Sequence, residues 1–298
     1  MIAPSMSWGQ SYSVGDAFVD YGCTATDNVD GTIDCTTVGT VDTNTIGEYT
    51  LTFTATDTAG NTASVQETFV VLRDDSLLEI DLDPYYDSAE GLYGDELLLA
   101  LRAILNSGDT LQTYGDARYI LDETDADPLI PGNLILLYLG TSVSGVWDAG
   151  ATWNREHIWP QSLLGVDAEN STANEASDLH NLAPADPGTN SSRGNKYYAD
   201  ATTTVSYAPR AAVRGDIARS LFYMIVMYDQ YTLVDGEPGL YQMGDRATLI
   251  QWFYDDPVSA FEIARNNVIY SYQNNRNPFV DYSHLLELIY YDEGLPVS

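Results

Sequence analysis

The hydrophobic period of this chain changes once, between about residue 73 and residue 91, so its two parts call for two different kinds of core. Before the change, the runs SYSVGDAFVDYG, CTTVGTVDT, GEYTLTFTATD and TASVQETFVVL alternate threonine, valine and aromatic residues with polar ones. Alternation sends every second side chain to the same face of a strand, and the separating DNVDG and DTAGN carry the Asx and glycine chemistry of turns. A small all-β sandwich is expected there. TATD at 24–27 recurs at 54–57, but one four-residue echo is not a repeat array. Asp27, Asp30 and Asp57 read as turn formers in preference to a calcium site.

After the change, GDELLLALRAILNSG sets Leu97, Leu98, Leu101, Ile104 and Leu105 at helical spacing and stops at Gly108. RGDIARSLFYMIVMYD is apolar nearly all round, as a buried helix is. DDPVSAFEIARNNVIYSYQ offers an aspartate cap and Pro257 for a first turn, and residues 282–291 suit a last short helix. Strands are expected around 134–138, 153–158 and 178–182. The chain of 298 residues is therefore expected to be multidomain: a sandwich over 1–75, an acidic linker over 76–91, and a mainly helical α+β domain over 92–298.

Formal charge is −32, with a single lysine, so the surface repels other polyanions and the balance alone argues against a nucleic-acid partner. Adaptation to saline water, where added salt screens the repulsion, is the plain explanation. Nine of the 12 lysines and arginines, from Arg155 to Arg276, lie in the second half, so one cleft can collect them. No run of apolar residues is long enough to span a bilayer, and no basic segment followed by an apolar run opens the chain. An exported form of this sequence would thus be a trimmed one. Cys23 and Cys35 lie in strand-like text, and a disulfide there would close a short loop and add about 3 kcal/mol. It implies an oxidising compartment; two buried thiols are the alternative.

WNREHIWPQS, residues 153–162, places Glu156 beside one of only three histidines, His157. Neighbours on a straight strand face opposite ways, so a shared site requires the strand to end or bend. Pro160 lacks a backbone N–H and biases Trp159 toward extended geometry, which fits a strand ending near His157 with its last side chains converging on one pocket. The next polar cluster is SDLHNLAPADPGTNSSRGNKYY, 177–198: DLHNL suits a second strand, PADPG a turn, and TNSSRGN a short polar helix or loop that brings Asn190 opposite Glu156.

Two resemblances follow from these stretches. VGDAFVDYGCTATDNVDGTI and GEYTLTFTATDTAGN are similar to the bacterial Ig-like domains appended to secreted enzymes. NREHIWPQS, DLHNLAPAD, NSSRGN, RGDIARSLFYM and NNVIYSYQNNRNPFVDY, in that order over about 90–292, resemble the endonuclease I family of ββα-metal nucleases, secreted or periplasmic enzymes that cut DNA and often RNA. The resemblance implies His157 as general base, and Glu156 with Asn190 as ligands of a divalent ion, Asn195 being the alternative to Asn190. It implies magnesium, with manganese or calcium as substitutes, and products with 5′-phosphate and 3′-hydroxyl ends. Histidine titrates near neutrality and can take a proton from water, while carboxylate and amide oxygens are hard ligands suited to magnesium.

Arg193 is the candidate phosphate grip through its planar fork, and His180 a supporting residue or a strand filler. Arg155 and His284 read as structural, and Arg214, Arg219 and Arg276 as partners for carboxylates. Some family members carry a long basic insertion between the two site strands, where this chain has only LLGVDAENSTANEA, so another residue must grip the substrate. Two rivals remain at this point: a non-catalytic adhesion or matrix protein, and a zinc hydrolase using Glu156, His157 and His180.

Overall fold

A computed structural model describes residues 2–4, 11–20, 22–72 and 75–290. The chain divides into two compact units, one ending at Ile80 and the other beginning at Asp81.

The first unit is built of β1 (Ile2–Pro4), β2 (Ser11–Ser13), β3 (Cys23–Asp27), β4 (Gly31–Asp34), β5 (Thr36–Val38), β6 (Gly47–Thr56) and β7 (Thr62–Leu72). They form two sheets, ordered β1-β3-β4 and β2-β7-β6-β5. Along β6, Leu51, Phe53 and Ala55 are buried while the intervening threonines are not, the period of two that the sequence displays. Leu51, Phe53 and Phe69 of one sheet meet Cys23 of the other in a common core. The β6–β7 turn is held by Asp57, whose carboxylate accepts from the backbone N–H and side-chain amide of Asn61, with Gly60 at φ +87°. Asp27 likewise accepts from the N–H groups of Val29 and Asp30, so these aspartates serve turns. Cys23 and Cys35 are joined in a disulfide across a separation of 12 residues, with Cα atoms 5.4 Å apart.

The second unit opens earlier than a free linker would allow. Pro84–Ala89 forms a 3-10 turn with Tyr86 and Ala89 buried. Tyr86 donates its hydroxyl to Asp281 at 2.8 Å, and the N–H of Asp83 donates to the Tyr282 hydroxyl at 2.8 Å. The stretch expected as linker is therefore docked from Asp83 onward, because its tyrosines bury apolar rings while their polar tips find partners.

Beyond it come α1 (Gly94–Leu105), α2 (Tyr114–Ala117), α3 (Leu121–Thr124), β8 (Asn133–Ile135), β9 (Ser142–Ser144), β10 (Asn154–His157), α4 (Gln161–Leu164), β11 (Leu182–Ala185), α5 (Pro187–Arg193), α6 (Arg214–Met227), α7 (Arg246–Asp255), α8 (Ala260–Gln273), α9 (Pro278–Asp281) and α10 (Leu285–Ile289). α1 buries Leu97, Leu101 and Leu105, a stripe at i, i+4, i+8, against α6, which is buried on nearly every face. None of the described helices is long and apolar enough to cross a membrane.

Two further expectations are corrected. The helix expected to open at Pro257 starts at Ala260: Asp256, preceding proline, is driven to ψ 83° and ends α7, and a capping box of Ser259 and Glu262 then begins α8. The strand expected at 178–182 lies instead at Leu182–Ala185. Asp178 accepts from the His180 N–H at 2.9 Å, and its carbonyl from the Asn181 N–H at 3.0 Å, so local bonds hold these residues in a turn.

Candidate active site

β10 and β11 form an isolated antiparallel ribbon, with Asn154 opposite Ala185 and His157 opposite Leu182. The ladder ends where Asn181 takes over: its carbonyl accepts from Ile158 N–H and its amide oxygen from Trp159 N–H at 2.6 Å, and Pro160 has no donor with which to continue. After β11, Asp186 caps α5 by accepting from Thr189 N–H at 2.7 Å, with Pro187 in the first turn. Gly194 ends the helix at φ +54°, which a side chain would make costly.

α5 lies along the outer edge of β10. Asn190 and Arg193, three residues apart, share one helix face. Asn190 donates its amide to Asn154 Oδ1 at 2.8 Å and reaches within 3.5 Å of the Arg155 carbonyl. Arg193 donates to the carbonyls of His157 at 2.7 Å and Ile158 at 2.6 Å, and to Glu156 Oε1 at 2.9 Å. These side chains satisfy carbonyls that the ribbon itself leaves unpaired.

Glu156 is only 3% exposed. Its Oε1 also accepts from the Tyr138 hydroxyl, and Tyr138 is joined at 2.8 Å to the Tyr198 hydroxyl. Burial pushes the Glu156 carboxyl above its ordinary range, and Arg193 and Tyr138 counter that by favouring the charged form. Both side-chain bonds fall on Oε1. The amide nitrogen of Asn190 faces Asn154, which leaves its oxygen as the remaining donor atom. One carboxylate oxygen and one amide oxygen, on elements packed together, form a hard donor pair that fits magnesium or a similar ion. Because the carboxylate is already paired with Arg193, the pair offers an ion little net charge.

His157 is at the end of the same strand but on the other side. Arg155 and His157 both lie against the Tyr114 ring, His157 stacked at 5.2 Å, whereas Asn154 and Glu156 turn to α5. The expected convergence of Glu156 and His157 through a bend is thus corrected: the strand keeps its alternation to the last residue. His157 Nε2 lies 2.8 Å from the Ala176 carbonyl, which can only accept, so Nε2 carries the proton and Nδ1 is the basic nitrogen. Burial pushes its pKa down to about 4, so the ring is neutral at physiological pH.

The remaining candidates separate clearly. Arg193 is no phosphate grip: it is 1% exposed and its guanidinium is taken up by Glu156, two carbonyls and the Tyr198 ring at 4.7 Å. Asn195 is exposed beyond the end of α5, while Asn190 touches β10. His180 is buried against Tyr223 and lines a cavity of about 170 Å³, away from the α5 side of the ribbon. Among the described residues no three His, Cys, Asp or Glu side chains gather to hold a metal, which removes the zinc triad of Glu156, His157 and His180. Arg214, Arg219 and Arg276 pair with Asp200, Glu262 and Asp281. Tyr138 and Tyr198 were not legible as site residues: neither has a spacing to β10 that marks it.

A model of the Endonuclease I family matches residues 99–208 and 203–284, and one of the bacterial surface protein Ig-like domain matches residues 9–71. An extracellular ribonuclease of Bacillus subtilis (strain 168) is 38% identical over 227 residues, 68% of this chain and 76% of that protein. An extracellular ribonuclease of Bacillus amyloliquefaciens is 36% identical over 253 residues, 76% of this chain and 84% of that protein. Among solved structures, a lipoprotein of Bacteroides thetaiotaomicron matches 25% of this chain and 39% of its own at 24% identity and a TM-score of 0.21, too low to bear on fold or site. The site and these matches make the chain a hydrolytic nuclease with an N-terminal Ig-like domain. Within that class it belongs to the Endonuclease I family. Nucleases of this family generally use divalent metal ions.

Proposed function

We propose that the chain is a secreted endonuclease that hydrolyses the phosphodiester bonds of RNA and DNA with little regard to base sequence. RNA is supported by the names of the two Bacillus relatives, and DNA by the family. His157 Nδ1 is the general base: the bond from Nε2 to Ala176 fixes the tautomer, and the low pKa keeps the nitrogen free to take a proton from water. Glu156 and Asn190 hold a magnesium ion, with manganese or calcium able to substitute. When bound, the ion supplies neutralisation of charge developing on the phosphodiester. Tyr138 and Arg193 fix Oε1 of Glu156 and so aim the carboxylate.

The scissile phosphate lies over the outer edge of β10, where the two sides of the strand are closest to serving one group. Attack by water on phosphorus with departure of the 3′ oxygen leaves 5′-phosphate and 3′-hydroxyl ends. The observation that carries this reading is α5 lying along the β10 edge, Asn190 at Asn154 and Arg193 at Glu156. The test is cleavage of plasmid DNA and of RNA by the full chain, with magnesium or with chelator, beside a folded His157→Ala variant. Metal-dependent cutting lost in the variant is expected. Cutting by His157→Ala at the wild-type rate would remove the base.

A further inference from the structure

A chain of formal charge −32 must still hold a polyanion, and nearly all of its positive charge is already committed. Every described arginine is in an ion pair, bonds a backbone carbonyl or lies over a tyrosine ring. Lys196, the single lysine, is different: among the described residues its ammonium has no hydrogen bond, ion pair or ring contact. An unpaired cation on a surface so rich in carboxylates is open to an anionic ligand.

Lys196 stands just past α5 and lines a cleft of about 620 Å³ together with Ser191, Ser192, Asn195, Tyr197 and Glu237. Ser191, Ser192 and Asn195 are exposed; Ser191 donates its hydroxyl to the Pro187 carbonyl at 2.8 Å, while the Ser192 hydroxyl and the Asn195 amide are open to a ligand, and Tyr197 is partly exposed. The cleft also reaches Ser162 in α4, close after the end of β10. α5 therefore turns Asn190 to β10 and its serines to this cleft, with Arg193, which also lines the cleft, between them. An ammonium, small polar groups and an aromatic ring beside one another suit a sugar-phosphate chain with a base laid on the ring.

We propose that this cleft binds the nucleic-acid strand next to the scissile bond, with the Lys196 ammonium on a backbone phosphate and the Glu237 carboxylate in the same lining limiting affinity. This rests on the nuclease reading above. Lysine beyond a helix C-terminus can also simply offset the helix dipole, and the test must separate the two roles.

The full chain and its Lys196→Ala, Lys196→Arg and Glu237→Gln variants are assayed for KM and kcat on a fluorescein-labelled single-stranded RNA oligonucleotide across a potassium chloride series at fixed magnesium. Lys196→Ala is expected to raise KM about tenfold at low salt with kcat little changed, and to reduce the slope of log KM against log salt by about 0.7, one phosphate contact on a single strand. Lys196→Arg restores most of both. Glu237→Gln lowers KM about twofold by removing a like charge. An unchanged slope in Lys196→Ala overturns the proposal, including when melting temperature falls, since that is the purely structural outcome. Wild-type chain that cuts nothing overturns both this cleft and the nuclease reading, whereas wild-type cutting with an unmoved slope overturns the cleft alone.

Discussion

Among the described residues the second unit holds two buried arginine–glutamate pairs that differ in what they leave over. Arg219 binds Glu262 through both carboxylate oxygens, at 2.6 and 2.8 Å, and the second oxygen also accepts from Ser259 N–H at 2.9 Å as part of the α8 cap. Arg193 binds Glu156 through Oε1 alone, and a tyrosine hydroxyl falls on the same oxygen. The first pair ties α6 to α8 and exhausts its carboxylate. The second fixes a carboxylate by one oxygen and leaves the other without a side-chain bond. Equal burial does not make equal roles; the distribution of bonds over the two oxygens does.

The largest expected difference comes from neutralising each glutamate in turn. Glu262→Gln keeps one oxygen where Glu262 uses two, so a charged bond to Arg219 and the Ser259 cap bond are lost while Asp216 and the carbonyls of Phe253 and Asp256 still face the guanidinium; it is expected to cost about 3 kcal/mol of stability, read by chemical denaturation. Glu156→Gln should lower the cleavage rate by about 10³-fold while costing clearly less stability than Glu262→Gln, since the glutamine keeps an oxygen for the bonds from Arg193 and Tyr138 that Oε1 takes. Equal stability losses in the two variants would erase the contrast.

A smaller effect tests the tyrosine behind the site. Tyr138→Phe removes one of two bonds to Oε1 and should slow cleavage about tenfold, with most of the loss in kcat and about 1 kcal/mol of stability lost. A loss confined to KM would make Tyr138 a substrate contact instead.

The smallest effect concerns pH. The folded pKa of His157, about 4, lies below the free value of about 6.5, so protonation opposes both folding and base catalysis. Its contribution to stability is complete above the free value and is lost as pH falls through the folded one. The raised carboxyl of Glu156 adds to the same acid-side loss of activity. An NMR titration should find His157 still neutral at pH 5.5; half-protonation near pH 6.5 would contradict its burial.

Periodicity made the two cores legible, and the Glu-His pair with the polar NSSRGN stretch pointed to β10 and α5. The turn at 178–181 was not legible, because the Asp178 side chain and carbonyl draw the N–H groups of His180 and Asn181 into local bonds that an apolar-alternation reading ignores. Arg193 looked like a phosphate grip because arginine is usually a surface residue; its burial depends on Tyr138 and Tyr198, which lie far from it or unmarked in sequence. The opposed facing of Glu156 and His157 follows from strand alternation; which side receives which residue depends on α5 and Tyr114, which lie outside β10 in sequence.

The central claim is that Glu156 and Asn190 hold one divalent ion in the folded chain. Manganese binding followed by electron paramagnetic resonance, on wild-type protein and on Glu156→Gln and Asn190→Ala with circular dichroism as a check of folding, tests it directly. One weak site in the wild type, lost in both folded variants, is the predicted result. Binding of the same strength in all three proteins would contradict it.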